Sequence, residues 1–194
     1  GGTSIGTVAV ELAQKIFGTL NRATVLLVGA GKIGELTLKR LAVRGVHQVR
    51  VMNRSFERAA SLASQYQAIP LPLEWLPAQL LEADILISST SASAAILHQA
   101  EVAVAMHGRH QRPLCIVDLG VPRNVEPAVG ELENVYLFNV DDLQGLIDHH
   151  HQERERATEQ ARGILDQKVS HFLAWWWEEA TSCVPSSLGP VAAR

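Results

Sequence analysis

An α/β protein with a doubly wound, mostly parallel sheet is what this sequence predicts, on three observations. Short apolar runs rich in β-branched residues alternate along the chain with amphipathic stretches of helical period. Within those runs successive positions are apolar, rather than every second one, as in strands buried on both faces. A glycine-rich turn, Gly29-Ala30-Gly31-Lys32-Ile33-Gly34, joins the first run to the helical pattern after it. The balance of 47% hydrophobic and 19% charged residues in 194 is that of a globular domain with something left over, and it argues against disorder.

The elements follow in order. Ile5, Val8, Ala9, Leu12, Ala13, Ile16 and Phe17 keep the spacing of one helix face, and Gly18 stands where a left-handed C-cap belongs. The sequence enters this helix at once and without Met, which predicts a piece of a longer chain. Thr24 to Val28 reads as the first strand. A helix from about Lys32 to Arg44 follows, closed by Gly45, and then a second strand, Gln48 to Met52. Ser55 is placed to cap a helix over Phe56 to Gln65, in which Phe56, Ala59, Ala60 and Ala63 share a face. Ala68 to Leu71 is a weak strand, and Pro77 sits in the first turn of a short helix. Strands at Asp84–Ser88, Leu114–Asp118 and Val135–Asn139, with a helix near Gln99 to His107, complete a domain over 21–142. Beyond Asp142 there is no Pro until the tail and charges are dense, which predicts a long helix over 143–180, roughly 50 Å at 1.5 Å per residue. Its middle is polar nearly all round, and an apolar stripe returns at Ile164, Leu165, Val169, Phe172, Trp175 and Trp176. The last stretch, 181–194, carries Pro and Gly without periodicity and is expected to be disordered.

Composition excludes several classes of function. Seventeen Lys+Arg against twenty Asp+Glu leave −3, with no basic block, so a purely electrostatic nucleic-acid binder is not indicated. No apolar run is long enough to span a membrane, and the first twenty residues lack the form of a signal peptide. Cys115 and Cys183 make no CxxC pair, which argues against a disulfide framework or a zinc site. Cys115 lies inside an apolar run and reads as an inert core thiol. His149-His150-His151 point in different directions on a helix and do not form a metal site, so no metal is expected. His47, His98, His107 and His110 have no carboxylate partner that sequence can establish, so no acid–base pair is assigned.

The chemistry sits in the glycine turn. A strand before it and a helix after it give the context of a Rossmann-type dinucleotide site. Gly29 allows the tight turn, Gly31 lets the backbone approach a pyrophosphate, and Gly34 lets helix and strand pack closely. The diphosphate would lie on the free N–H groups of the helix start, where the dipole favours an anion. The plain alternative is a glycine turn that binds nothing. At the end of the second strand stand Asn53, Arg54 and Ser55, with no carboxylate of the kind that bonds the ribose 2′-OH of NAD. Arg54 can pair with a 2′-phosphate and stack on adenine, while Asn53 and Ser55 donate hydrogen bonds, so NADP(H) is expected rather than NAD. Otherwise Arg54 is a solvated side chain at a helix N-terminus. Two further loops lie at strand ends. Ser88-Ser89-Thr90-Ser91-Ala92 is small enough for close approach to a cofactor ribose. In Asp118-Leu119-Gly120-Val121-Pro122-Arg123, Gly120 is placed to border the nicotinamide and Arg123 to face a partner domain. Each of these loops is equally readable as ordinary turn chemistry.

Taken together, the glycine turn, Asn53-Arg54-Ser55, Ser88-Ser89-Thr90, the segment Asp118 to Val125, and Val140-Asp141-Asp142-Leu143 resemble glutamyl-tRNA reductase, from about Ile5 to Trp176. The glycine turn and the Asn-Arg-Ser triplet are shared with shikimate dehydrogenases, whereas the Asp118 segment followed by Asp-Asp-Leu and a long helix is more specific to the reductase. The resemblance implies a division of labour in an NADPH-dependent oxidoreductase of tetrapyrrole (porphyrin, heme) biosynthesis. An N-terminal domain binds glutamyl-tRNA and forms a thioester through a cysteine. A central domain supplies hydride from NADPH to release glutamate-1-semialdehyde, and a spinal helix leads to a dimerisation domain. On this reading 1–20 is a linker helix from a catalytic domain upstream, 21–142 the NADP(H) domain and 143–180 the spinal helix. Neither Cys115 nor Cys183 inherits the nucleophile's role, and these residues alone are expected to be inactive. A cytoplasmic homodimer, working with a downstream aminomutase, is the expected setting. Two other functions remain open: a shikimate-dehydrogenase-like oxidoreductase, and a non-catalytic module that senses NADP(H).

Overall fold

The computed structural model describes residues 5–145. Helix α1 (Ile5–Phe17) leads to β1 (Thr24–Val28), α2 (Lys32–Val43), β2 (Gln48–Asn53), α3 (Phe56–Gln65) and β3 (Ile69–Pro72). The second half runs α4 (Leu76–Gln79), β4 (Ile85–Ser88), α5 (Gln99–Gly108), β5 (Leu114–Asp118) and β6 (Val135–Asn139). Two 3-10 turns that the sequence reading does not contain, Leu73–Trp75 and Pro127–Glu131, complete the described elements. The six strands form one sheet in the order β3-β2-β1-β4-β5-β6, and every neighbouring pair is parallel. From β1 the chain works outward to β3, returns to the other side of β1 and works outward again. The order therefore reverses between β1 and β4, which opens a crevice at the carboxyl ends of the strands.

Both faces of the sheet are covered, and this explains the unbroken apolar runs. Val25 and Leu27 of β1 pack in one core layer with α1, α2 and α3. Leu26 and Val28, pointing the other way, pack with α4 and α5. The same alternation divides Ile85 and Ile87 from Leu86. All are at most 1% exposed, and burying each such side chain contributes about 1.5–3 kcal/mol relative to leaving it in water. Helix α1, expected as a linker, is packed into the first layer through Val8, Ala9, Val10 and Ala13. A Cβ on Gly6 would stand 2.6 Å from Thr37 Oγ1, so glycine there sets how closely α1 approaches α2.

Two local expectations need correction. Phe56 shares a face with Ala59 and Ala63 but is not buried with them: it is 44% exposed at the helix entry, and the buried stripe is Ala59, Leu62 and Ala63. The strand expected from Ala68 begins at Ile69, because the Ala68 N–H is spent on the Ala63 carbonyl (3.0 Å) and Gln67 takes a positive φ to make that turn. Pro70 and Pro72 fit β3 because it is an edge strand. At the opposite end of the sheet from the crevice, Arg109 is 5% exposed. It donates to the carbonyls of Leu80 (2.6 Å), Arg112 (2.9 Å) and Pro113 (2.9 Å), tying together the segments that enter β4 and β5. Burial, with Arg112 nearby, brings its pKa down to about 10.

Residues 140–145 are helical. The rest of the long helix expected over 143–180, the tail 181–194, His149 to His151, the tryptophan cluster and Cys183 lie outside the described residues. Among the described residues no helix is long and apolar enough to cross a membrane, and no cluster of metal-ligating side chains occurs. Cys115 is fully buried in β5, and burial pushes its thiol up to about 12. It should therefore resist iodoacetamide at neutral pH in the folded protein and react once denaturant is added. Peptide mapping by mass spectrometry, which separates it from Cys183, checks this; fast labelling of Cys115 in the native state would contradict its placement.

Candidate functional site

The crevice at the β1/β4 switch point is a cleft of about 600 Å³. That volume falls in the range of small-molecule and cofactor sites, roughly 300–1,000 Å³. Its floor is the glycine turn, and two backbone contacts shape it. Gly29 has φ +114, and a Cβ on it would stand 2.5 Å from the Ser89 carbonyl oxygen, so the exits of β1 and β4 touch at this point. A Cβ on Gly34 would overlap the Gly29 carbonyl, which brings the start of α2 down onto the turn. Gly31 is different. It is the N-cap of α2 with an ordinary φ of −91°, and a Cβ there would meet nothing within 4 Å. Neither backbone conformation nor packing requires glycine at 31, and the position faces the cleft. No side chain caps the first turn of α2.

One wall comes from β2 and α3. Asn53, Arg54 and Ser55 all line the cleft. Asn53 ties its own loop to the glycine turn: Oδ1 accepts from the Ala30 N–H (3.4 Å) and Nδ2 donates to the Ser55 carbonyl (3.1 Å). Ser55 Oγ accepts from the Arg58 N–H (3.4 Å), so it caps α3 as expected. It also donates to Glu57 Oε2 (2.9 Å). A carboxylate therefore does stand beside this wall, although Asn53, Arg54 and Ser55 themselves carry none. Its own backbone N–H first and the Ser55 hydroxyl second hold the Glu57 carboxyl below its ordinary value. The sequence reading also missed Arg58, which brings a second guanidinium to the cleft from the first turn of α3. Its position three residues after the cap, on the turn facing β2, was the available signal. Leu73 and Ile96 add apolar lining, and neither is marked in the sequence.

The other wall follows β4. Thr90 and Ser91 line the cleft, and Thr90 Oγ1 accepts from the Ala92 N–H (3.2 Å). Ser89 Oγ is buried near Gly29 and Gly34 without a hydrogen-bond partner. Of the residues expected at the site, Gly29, Ala30, Gly31, Asn53, Arg54, Ser55, Thr90 and Ser91 come together here. Lys32, Ile33, Gly34 and Gly120 do not line the cleft. Lys32 pairs with Glu35 (3.0 Å), and Ile33 is 40% exposed on α2.

Gly120 belongs to a loop with its own organiser. Asp118, 2% exposed at the end of β5, accepts backbone N–H groups from Gly120 (3.0 Å), Asn124 (2.8 Å) and Val125 (2.9 Å). Burial pushes its carboxyl up, against the pull of those three donors and of Arg123. Arg123 itself is half exposed and lies 3.5 Å from Asp141.

Parallel strands in this order, a glycine elbow at the switch point and a cleft with two arginines at one end define a Rossmann-type nucleotide fold. Residues 11–146 match the family model described as shikimate / quinate 5-dehydrogenase, and the chain belongs to that family. Among its relatives are glutamyl-tRNA reductases, as the motifs suggested. It is 43% identical over 172 residues to the glutamyl-tRNA reductase of Syntrophus aciditrophicus, covering 89% of this chain and 41% of that protein. The structure of glutamyl-tRNA reductase from Methanopyrus kandleri superposes with a TM-score of 0.77 at 34% identity, over 88% of this chain and 43% of that one. The nucleotide binding domain of the Thermoplasma volcanium enzyme, 21% identical with a TM-score of 0.61 over 80% of this chain and 99% of that one, shares the fold. The chain thus spans about two fifths of the length of the reductases it matches.

The carboxylate of Asp118 yields a stability test. Asp118→Ala removes the acceptor of three backbone N–H groups, and each donor left buried without a partner costs about 1–3 kcal/mol. Urea denaturation should show a loss of about 3 kcal/mol or more; a change below about 1 kcal/mol would mean that the loop does not depend on this cap.

Proposed function

We propose that this chain is the NADP(H)-holding part of a glutamyl-tRNA reductase. The observation that carries the reading is Gly31, a glycine that neither backbone conformation nor packing demands, set at an uncapped helix start and facing the cleft. A pyrophosphate approaching the N–H groups of α2 gives glycine there a role. Gly29 and Ala30 flank that anion, while Gly34, with Lys32 and Ile33 on the same turn, sets the direction of the helix. The two guanidiniums of Arg54 and Arg58 favour a dinucleotide bearing a 2′-phosphate at the β2 end, with Asn53 as the brace; Ser55 could donate to that phosphate only by turning its hydroxyl away from Glu57. Glu57 tempers that preference without abolishing it, because it is fully exposed to solvent and screened. Thr90 and Ser91 lie against the cofactor's ribose side, and Gly120 shapes the loop beyond it.

When bound, the cofactor supplies hydride. The chain's own residues bind and orient it, and among those described none forms a nucleophile or an acid–base pair at the cleft. In the whole enzyme a cysteine elsewhere would take the glutamyl group from glutamyl-tRNA as a thioester, releasing the tRNA, and reduction of that thioester would free the thiol and glutamate-1-semialdehyde at the start of tetrapyrrole synthesis. The setting that accompanies this reading is a cytoplasmic homodimer that hands its aldehyde to an aminomutase. The relatives' names favour the reductase over a shikimate-dehydrogenase-like activity or a cofactor sensor.

Calorimetric titration tests the reading. NADPH should bind more tightly than NADH, and Arg54→Ala should remove most of the difference; equal affinities for the two in the parent chain would overturn the specificity. Gly31→Val should cost no more than about 1 kcal/mol of stability, from a poorer N-cap in a position that nothing crowds, yet reduce NADPH binding by about tenfold or more. The 194 residues alone should reduce no glutamyl-tRNA, and measurable turnover would refute the proposed division of labour.

A further inference from the structure

Asn124 is fully buried, and its hydrogen bonds all serve the loops around the cleft. Its Oδ1 accepts from Ser88 Oγ (2.8 Å) and from the Thr90 N–H (2.9 Å). Its carbonyl accepts from the N–H groups of Ile96 (2.7 Å) and Leu97 (3.2 Å). Its own N–H goes to Asp118 Oδ2, and Nδ2 donates to the Pro122 carbonyl (3.4 Å). One residue thus holds both ends of the segment that leaves β4, with Thr90 at the start and Ile96 at the finish. A short parallel bridge between Leu97 and Val125 continues the same seam. Thr90, Ser91 and Ile96 are all cleft lining, whereas Asn124 is not. Gly120 belongs to the same arrangement: a Cβ on it would overlap the Asn124 carboxamide, with Nδ2 only 2.7 Å away.

We propose that Asn124 is the positioning residue of this cleft, closing the Thr90–Ile96 segment into the wall against which the dinucleotide lies, and that glycine at 120 is required to seat it. The inference rests on the NADP(H) reading above. Asn124 acts through the wall and is separate from the Arg54 and Arg58 end, so it governs how tightly a dinucleotide is held and not which one is preferred.

The test uses the 194-residue chain with Asn124→Ala, Gly120→Ala and Ser88→Ala. Ser88 does not line the cleft and bonds the Asn124 side chain, so its loss is the mild version of the same perturbation. Affinities for NADPH and NADH are measured well below the melting temperature, with circular dichroism to show that each variant is folded. Asn124→Ala and Gly120→Ala should weaken both cofactors by the same factor, about tenfold, and Ser88→Ala by about threefold, leaving the NADPH-to-NADH ratio at the parent value. A role in stability alone would lower the melting temperature and leave both affinities of the folded variants unchanged, which would overturn the proposal. A change in the ratio would overturn it as well, since it would place Asn124 in recognition of the 2′-phosphate. Should Asn124→Ala fail to fold, the other two variants decide by the same criteria. A parent chain that binds neither cofactor would instead refute the NADP(H) reading, and this inference with it.

Discussion

Where β1 and β4 leave the sheet side by side, their backbones come nearer than two side-chain-bearing residues could allow. The Cα of Gly29 faces the Ser89 carbonyl at a distance that leaves no room for a methyl group, and Gly34 faces the carbonyl of Gly29 in the same manner. These are contacts between main chains, which cannot yield by changing rotamer, so a Cβ at either glycine would force the strand exits apart. The rest of the site depends on this constraint. It turns the chain sharply off β1, starts α2 directly above the sheet edge and aims the helix's unpaired N–H groups at the crevice between the two halves of the sheet. A crevice of this kind arises from the reversal of strand order, but only the tight elbow makes its floor a line of backbone donors.

A second set of groups holds the walls, and here the work passes from backbone packing to buried polar side chains. The loops after β4 and β5 lie beyond the ladder, so their N–H and C=O groups need partners that strand pairing cannot provide. Asp118 and Asn124 provide them reciprocally, one carboxylate capping the N–H groups of its own loop and one carboxamide reaching across to the neighbouring loop. Burying a carboxylate is unfavourable in itself, and the direction of the Asp118 shift reflects that. The compensation is that two loops without regular structure are held in one arrangement. At the β2 side the same task falls to Asn53, which links the glycine turn to the Ser55 carbonyl.

Much of this was legible in the sequence, for reasons that are local. Strands buried on both faces give continuous apolar runs, so Thr24–Val28 and Leu114–Asp118 can be read to the residue. Helix ends carry their own signals, Ser55 before α3 and Gly45 after α2, the latter with φ +72. The glycine turn is read from spacing because its constraints act over a few residues. What was missed depends on partners distant in the chain. Asn124 meets Ser88 across 36 positions, and nothing in either neighbourhood marks the pair. Phe56 shares a helical stripe with Ala59 and Ala63, yet at the helix entry it stays 44% exposed among the described residues. Glu57 lies past the end of β2, where an acid that bonds the ribose is expected, yet the cap at Ser55 brings this first-turn carboxylate back toward the cleft.

The three glycines of the turn also show how a ligand site can be told from a tight bend. Gly29 and Gly34 are fully accounted for by the protein: a left-handed φ and a carbonyl contact in one case, a carbonyl contact in the other. A fold that bound nothing would still need both. Gly31 has neither requirement, and glycine at the start of a helix carries a conformational-entropy cost on folding that a serine or aspartate there would offset by capping. A residue that gives up a little helix capping while improving access to a helix N-terminus is in keeping with the proposed approach of an anion to that terminus. An aspartate cap would also place a negative charge on the path of the proposed pyrophosphate, so the uncapped helix start and the bare Cα at 31 both favour that proposal. It is Gly31, more than the two glycines that shape the elbow, that supports the proposed dinucleotide site over a plain turn in an α/β sheet.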